Sequence, residues 1–185
     1  MPVSQDLAPL RTVLCCVAVI LAVLAEASQS TPRPPLLLGS TGYQVQMPPG
    51  DVVTSTQVTK SPLGDITTNI FTVTSTDTTW TADYTVLPRA AVAFTGREQL
   101  YNNAKGHLLR KVFGKEITFN DVIVAGTPAK ELQYQTPPHD KGPSLDGRAR
   151  FVLIHETLFV FDVTTPHSDQ GVPADEFFAS FRPTS

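Results

Sequence analysis

The sequence predicts an α+β domain built on an antiparallel sheet, and three stretches carry that prediction. From Arg148 to Thr164 the chain is apolar on both alternating sets of positions. Ala149, Phe151, Leu153 and Val160 form one set, and Val152, Ile154, Phe159, Phe161 and Val163 form the other. A hairpin apolar on both sides is buried on both sides, so it belongs at the centre of a sheet. Upstream, Thr95 and Glu98 make a T-x-x-E capping pattern for a helix running to about Phe113, with Gly114 as its stop. Leu100, Tyr101, Ala104, Leu108 and Val112 recur at helical spacing, a stripe that has to lie on the sheet. Finally, Ala174 to Phe181 reads as a short helix whose Phe177, Phe178 and Phe181 need a docking surface. An up-and-down barrel would require a single interior face, which the central hairpin does not have.

The chain has 185 residues, 41% hydrophobic and 17% charged, the composition of one globular domain. Residues 1–27 read as an export signal: Arg11 flanks the apolar run Thr12 to Leu24, and Ala25-Glu26-Ala27 is a small-residue cleavage pattern. The run is shorter than the roughly 20 residues that span a bilayer. Cleavage after Ala27 is expected, with membrane contact only through this segment if it is retained. The product would be periplasmic, in the cell envelope or extracellular. Both cysteines, Cys15 and Cys16, lie inside the segment, so the mature domain would have neither disulfides nor thiolate chemistry. Its removal takes one basic residue from 14 and two acidic residues from 17, leaving a balance near −2. That balance argues against nucleic acid as a partner.

Residues 28–41 are Pro-rich and read as a tether ahead of a domain spanning 42–183. Leu36-Leu37-Leu38 either belongs to the tether or packs on the domain edge. Tyr43 to Met47 alternates as a half-buried strand ended by Pro48-Pro49-Gly50, and Val52 to Thr59 is a weaker strand. Ile66 to Ser75 and Trp80 to Val86 form a hairpin, the second run having the cleanest period-two alternation in the chain. The threonines between Thr54 and Thr85 are the β-branched residues of half-exposed strands. Lys105, Arg110, Lys111 and Lys115 gather towards the helix C-terminus, where the dipole favours cations. Asn120-Asp121 separates two short apolar runs, Gly126-Thr127-Pro128 turns the chain, and Ala129 to Tyr134 is a further strand.

No nucleophile elbow, zincin motif, phosphate loop or dinucleotide fingerprint occurs, so no catalytic residue and no cofactor is assigned. The histidines, His107, His139, His155 and His167, match no metal-ligand spacing. His107 falls at the flank of the helix stripe and His155 at a hairpin turn. Asp162, the one acid inside the central hairpin, requires a partner if buried, and Arg148 or Arg150 is expected to provide it. Following the strands, the loops Thr136 to Asp146 and Thr165 to Val172 leave from one rim and carry His139, Asp140, Lys141, Asp146, His167 and Asp169. Loops on a rigid scaffold are the usual place for binding groups, so His139, Asp140, His167 and Asp169 are the candidate metal-binding residues. A small hydrolase or metal-dependent enzyme is the alternative to a binding module.

The opening strand YQVQMPPG, the capped helix, the turn and strand GTPAKELQY, the central hairpin and the closing FFASFR together resemble the PsbP-like family. That group takes in photosystem II PsbP, DcrB and the nuclear Ran-release factor. The resemblance spans roughly Gly42 to Pro183 and implies an α/β/α sandwich, with helices on both faces of the sheet. It also implies a non-catalytic binding or assembly role with a protein or small-ligand partner. Asp51 stands where an aromatic often follows the Pro-Gly, and the loop from Thr136 to Asp146 is longer than the pattern. No functional residue of the family carries over to a numbered position here.

Overall fold

The computed structural model describes residues 33–61, 64–138, 143–166 and 172–184. In chain order the strands are β1 (Leu36–Leu37), β2 (Tyr43–Val45), β3 (Val53–Ser61), β4 (Gly64–Ser75) and β5 (Thr78–Val86). Two helices follow, α1 (Arg89–Thr95) and α2 (Arg97–Val112). Then come β6 (Lys115–Val124), β7 (Thr127–Gln135), β8 (Leu145–Ile154), β9 (Thr157–Pro166), helix α3 (Val172–Ala179) and β10 (Arg182–Pro183). The main sheet is antiparallel with the order β3-β4-β5-β9-β8-β7-β6, and β1-β2-β10 form a small second sheet. Two meanders therefore meet at the β5–β9 pair, and α1 with α2 carries the chain from the middle of the sheet to its far edge.

The central hairpin is where the sequence places it, at β8 and β9, and the alternation sorts its side chains into two clusters. Ala149, Phe151, Leu153 and Leu158 pack with Leu100, Tyr101, Leu132 and Tyr134. Val152, Phe159, Phe161 and Val163 pack with Phe177, Phe178, Phe181, Leu38, Val45 and Met47. A one-residue slip of β8 against β9 would exchange the two sets, so the pattern itself fixes the register. Phe181, just beyond α3, sits 4.7 Å from the Phe161 ring and stacks 5.2 Å from Tyr43. Ring pairs at such offsets add about 1 kcal/mol each to the area they bury. On the other side the Tyr101 hydroxyl accepts from the Leu153 amide and donates to the Pro128 carbonyl, both at 3.0 Å. That bridge ties α2 to β7 and β8.

Several expectations are corrected. The helix does not begin with a Thr95 capping box, because Arg89–Thr95 is itself helical and leaves Thr95 no extended cap conformation. The break falls at Gly96 (φ 77°), which caps α2 without a side-chain bond; a positive φ of this kind suits glycine. At the other end the left-handed residue is Phe113 (φ 53°) and not Gly114. Asn120-Asp121 does not interrupt a strand but lies inside β6, opposite Glu131 and Lys130. An edge strand tolerates both residues, since one face and one edge are wet. The β6–β7 turn falls at Ala125-Gly126. Leu36–Leu37 pairs with β2 and Leu38 is fully buried, so packing on the domain is the arrangement this run adopts. Residues 1–27, which the sequence reads as an export signal, lie outside the described residues.

Candidate functional site

Helix α2 packs over β7 and β8, so the same face of the sheet continues beyond it across β9, β5, β4 and β3. A cleft of about 310 Å³ lies along that step. One wall is α2, contributing Leu100, Asn103, Ala104, His107, Leu108 and Lys111. The floor is the sheet, contributing Gln57, Thr59, Ile66, Thr68, Ile70, Asp83, Thr85, Leu158 and Val160. Strand alternation explains the floor: these are the side chains opposite in parity to Phe71, Val73, Ala82, Phe159 and Phe161, which fill the cluster on the other face. The threonines that read as a solvated strand face are part of this floor. Thr68 and Thr85 are cross-strand partners whose hydroxyls bond at 2.7 Å.

The cleft has a charged end and an apolar end. Along β5 and just past its end the floor runs from Asp83 through Thr85 to Leu87, while antiparallel β9 runs back from Leu158 through Val160 to Asp162. Leu87, Leu100 and Leu158 gather in the apolar cluster. Asp83 stands opposite Val160 and Asp162 opposite Thr81, so the two carboxyls are diagonal neighbours on one face. Burial pushes the Asp83 carboxyl up to about 7, the Asp162 charge adding to it and the Lys111 ammonium opposing it. Burial likewise holds Asp162 at about 7, against a bond from Tyr134, the charge of Lys111 and a bond from the Val163 amide. The Tyr134 hydroxyl donates to Asp162, 2.9 and 3.0 Å from its two oxygens. Burial first, then the neighbouring carboxylate, pushes the Tyr134 phenol above its ordinary range.

Asp162 therefore has a partner, but not the expected one. Arg148 and Arg150 alternate to the opposite face of β8. There Glu131 takes both, at 3.2 Å from Arg148 Nη2 and 2.7 Å from Arg150 Nε. Arg148 also reaches Asp175 at 2.9 Å, and the Arg150 guanidinium lies 4.6 Å from the centre of the Phe178 ring. The parity that joins Val160 to Ala149 already joins Asp162 to them, so this signal was present in the sequence. Asp83 and Lys111 were missed because each occupies a polar position of an otherwise regular element.

Of the rim residues, His139, Asp140, Lys141, His167 and Asp169 lie outside the described residues. Asp146 accepts from Gln135 Nε2 at 3.2 Å. The strand ends do adjoin, Gln135 opposite Asp146 and Leu145 opposite Pro166. His155, at φ 52° in the β8–β9 turn, is exposed, and His107 is an exposed residue of the cleft wall. Among the described residues no three His, Cys, Asp or Glu side chains come together as a metal-binding group.

No family model matches the chain, and no curated protein matches it. Among solved structures it is similar to cyanobacterial PsbP from Synechocystis sp. PCC 6803, with a TM-score of 0.54 and 16% identity over 77% of this chain and 87% of that one. A protein of unknown function from Pseudomonas aeruginosa, described as a putative regulator, aligns with a TM-score of 0.37 and 16% identity over 62% of this chain and 85% of that one. The likeness to cyanobacterial PsbP makes the fold PsbP-like, as the sequence resemblance implies.

Proposed function

We propose that this chain is an exported, non-catalytic binding module that takes a small ligand in the cleft between α2 and the β3–β5 half of the sheet. In this reading residues 1–27 direct export and 42–183, with the Leu36–Leu38 run packed onto them, form the α+β domain, with α2 over one face of the sheet and α3 over the other. The two side-chain clusters support that layering. The observation that carries the functional reading is the cleft itself. It is concave, mostly apolar and furnished with a few converging polar groups, the usual anatomy of a small-molecule site. Native mass spectrometry of the purified chain tests it. A co-purifying small molecule that is lost when Ile70→Trp fills the floor is the expected result. Retention of that molecule by a folded Ile70→Trp protein would place the site elsewhere.

A second reading has one observation in its favour: Asp83 and His107 line the same cleft, and a carboxyl near 7 is poised for proton transfer. Turnover in an esterase, phosphatase and glycosidase screen, abolished by Asp83→Asn, would establish the enzyme and displace the binding module. The rim residues His139, Asp140, His167 and Asp169 remain proposed metal ligands. Their joint replacement by alanine should weaken binding of added zinc, and unchanged binding with unchanged folding would remove that proposal.

A further inference from the structure

We propose that the cleft is built for an amphiphilic amine, with its ammonium seated on Asp83 and its hydrocarbon body laid towards Leu87, Leu100 and Leu158. The inference rests on reading the cleft as a ligand site, and it specifies the class of ligand. Three features on different elements agree on the direction in which such a molecule would lie. On β5 and just past its end the floor passes from Asp83 to Leu87, a distance of about 13 Å at strand rise. On β9 the strand passes from Asp162, the electrostatic neighbour of Asp83, through Val160 to Leu158 in the same sense. On α2 the wall passes from Lys111 to Leu100, about 16 Å of helix. A ligand with one charged end and one apolar end satisfies all three.

The sign of the charge follows from what surrounds Asp83. Lys111 acts on it from α2, where His107 lines the same cleft, Asp162 from β9 and, behind Asp162, Tyr134 from β7; β3 and β4 contribute only uncharged side chains to the floor. Asp162 already receives the Tyr134 hydroxyl, whereas no donor among the described residues bonds the Asp83 carboxyl. The exposed ammonium of Lys111 is thus set against two acids. An incoming ammonium would supply Asp83 with donors and make up the missing positive charge. A carboxylate head would bring a third anion to the pair. The Thr68 and Thr85 hydroxyls already bond each other, so they offer a neutral head little that water does not.

Asp83 loses its proton near 7, while a primary amine stays protonated through that range. Amine affinity therefore rises with pH, by roughly thirty-fold between about pH 5.5 and about pH 8.

Isothermal titration of the intact chain with n-octylamine, n-octanol and octanoate tests the proposal. At about pH 8 octylamine should bind well ahead of the other two and weaken towards about pH 5.5. Asp83→Asn should cost octylamine at least about ten-fold while leaving octanol unchanged, one charge-assisted bond being lost. Lys111→Met should tighten octylamine, and His107→Gln should preserve the pH dependence. A cooperative melt at or above the parent's temperature shows that each variant folds. If octanol binds as tightly as octylamine, or octanoate binds best, the cleft is a site but the amine is the wrong class. If none of the three binds, the ligand-site reading falls with it.

Discussion

Tyr134 lies across Gly147, its register partner on β8, so closely that a Cβ at position 147 would clash with the ring. The missing side chain is what lets the phenol cross one strand and reach Asp162 on the next. A glycine in a strand interior weakens the strand by itself. Here an aromatic cover takes the vacated space and holds a buried carboxyl.

Gly147→Ala should accordingly be among the most damaging small substitutions in the chain. Overpacking and loss of the Tyr134–Asp162 bond together amount to about 3 kcal/mol. Tyr134→Phe, which removes only the donor, should cost about 1–2 kcal/mol at neutral pH. Urea unfolding of both variants gives the comparison, and an alanine at position 147 that is neutral would contradict the ring placement.

The two raised carboxyls give stability an unusual pH dependence. Asp83 and Asp162 move from 3.8 to about 7 on folding, so between those values the native state holds protons that the unfolded chain has released. Their contribution is full below about pH 4, declines as pH rises to about 7 and is level above that. The decline is on the order of several kcal/mol for the pair. Asp83→Asn and Asp162→Asn should each flatten the curve and be more stable than the parent near pH 8. Parent and variant curves that run parallel from pH 4 to 8 would contradict the burial of these groups.

On the opposite face, Glu131 binds two guanidiniums while only 13% of its side chain is exposed, whereas the Asp175 side chain is 64% exposed. Glu131→Gln should therefore cost about 3 kcal/mol, because it leaves both arginines short of charge. Asp175→Asn should cost less than about 1 kcal/mol. Thermal melts of the two variants side by side check the ranking.

The helix ends offer a gentler test. Thr95→Ala should be neutral within about 0.5 kcal/mol, since no capping bond involves it. Phe113→Gly should raise stability by about 0.5–1 kcal/mol, because Phe113 is 77% exposed and held at φ 53°. A Thr95→Ala loss of 1 kcal/mol or more would restore the capping box.

How far the sequence was legible follows from where alternation is informative. The β8–β9 hairpin could be placed at the centre because its two apolar sets are unambiguous, and the α2 stripe because Leu100, Tyr101, Ala104, Leu108 and Val112 recur at helical spacing. Arg89–Thr95 escaped because it buries no residue and leaves Phe94 88% exposed, so no apolar periodicity marks it. Asn120-Asp121 looked like a break because edge strands accept turn residues. The cleft was invisible for another reason. The polar part of its floor includes Asp83, Thr85 and Thr68, residues that in an isolated strand describe a face open to water. Only the path of α2, which packs over β7 and β8, turns that face into a cleft.

Whether the cleft binds a small ligand can be read from residue-resolved amide chemical shifts during a titration with n-octylamine. Saturable shifts confined to Thr68, Asp83, Thr85, Leu108, Lys111 and their neighbours, absent in Ile70→Trp, are the expected result. Shifts gathered instead at the strand ends around Gln135, Leu145 and Pro166, or none at all, would contradict it.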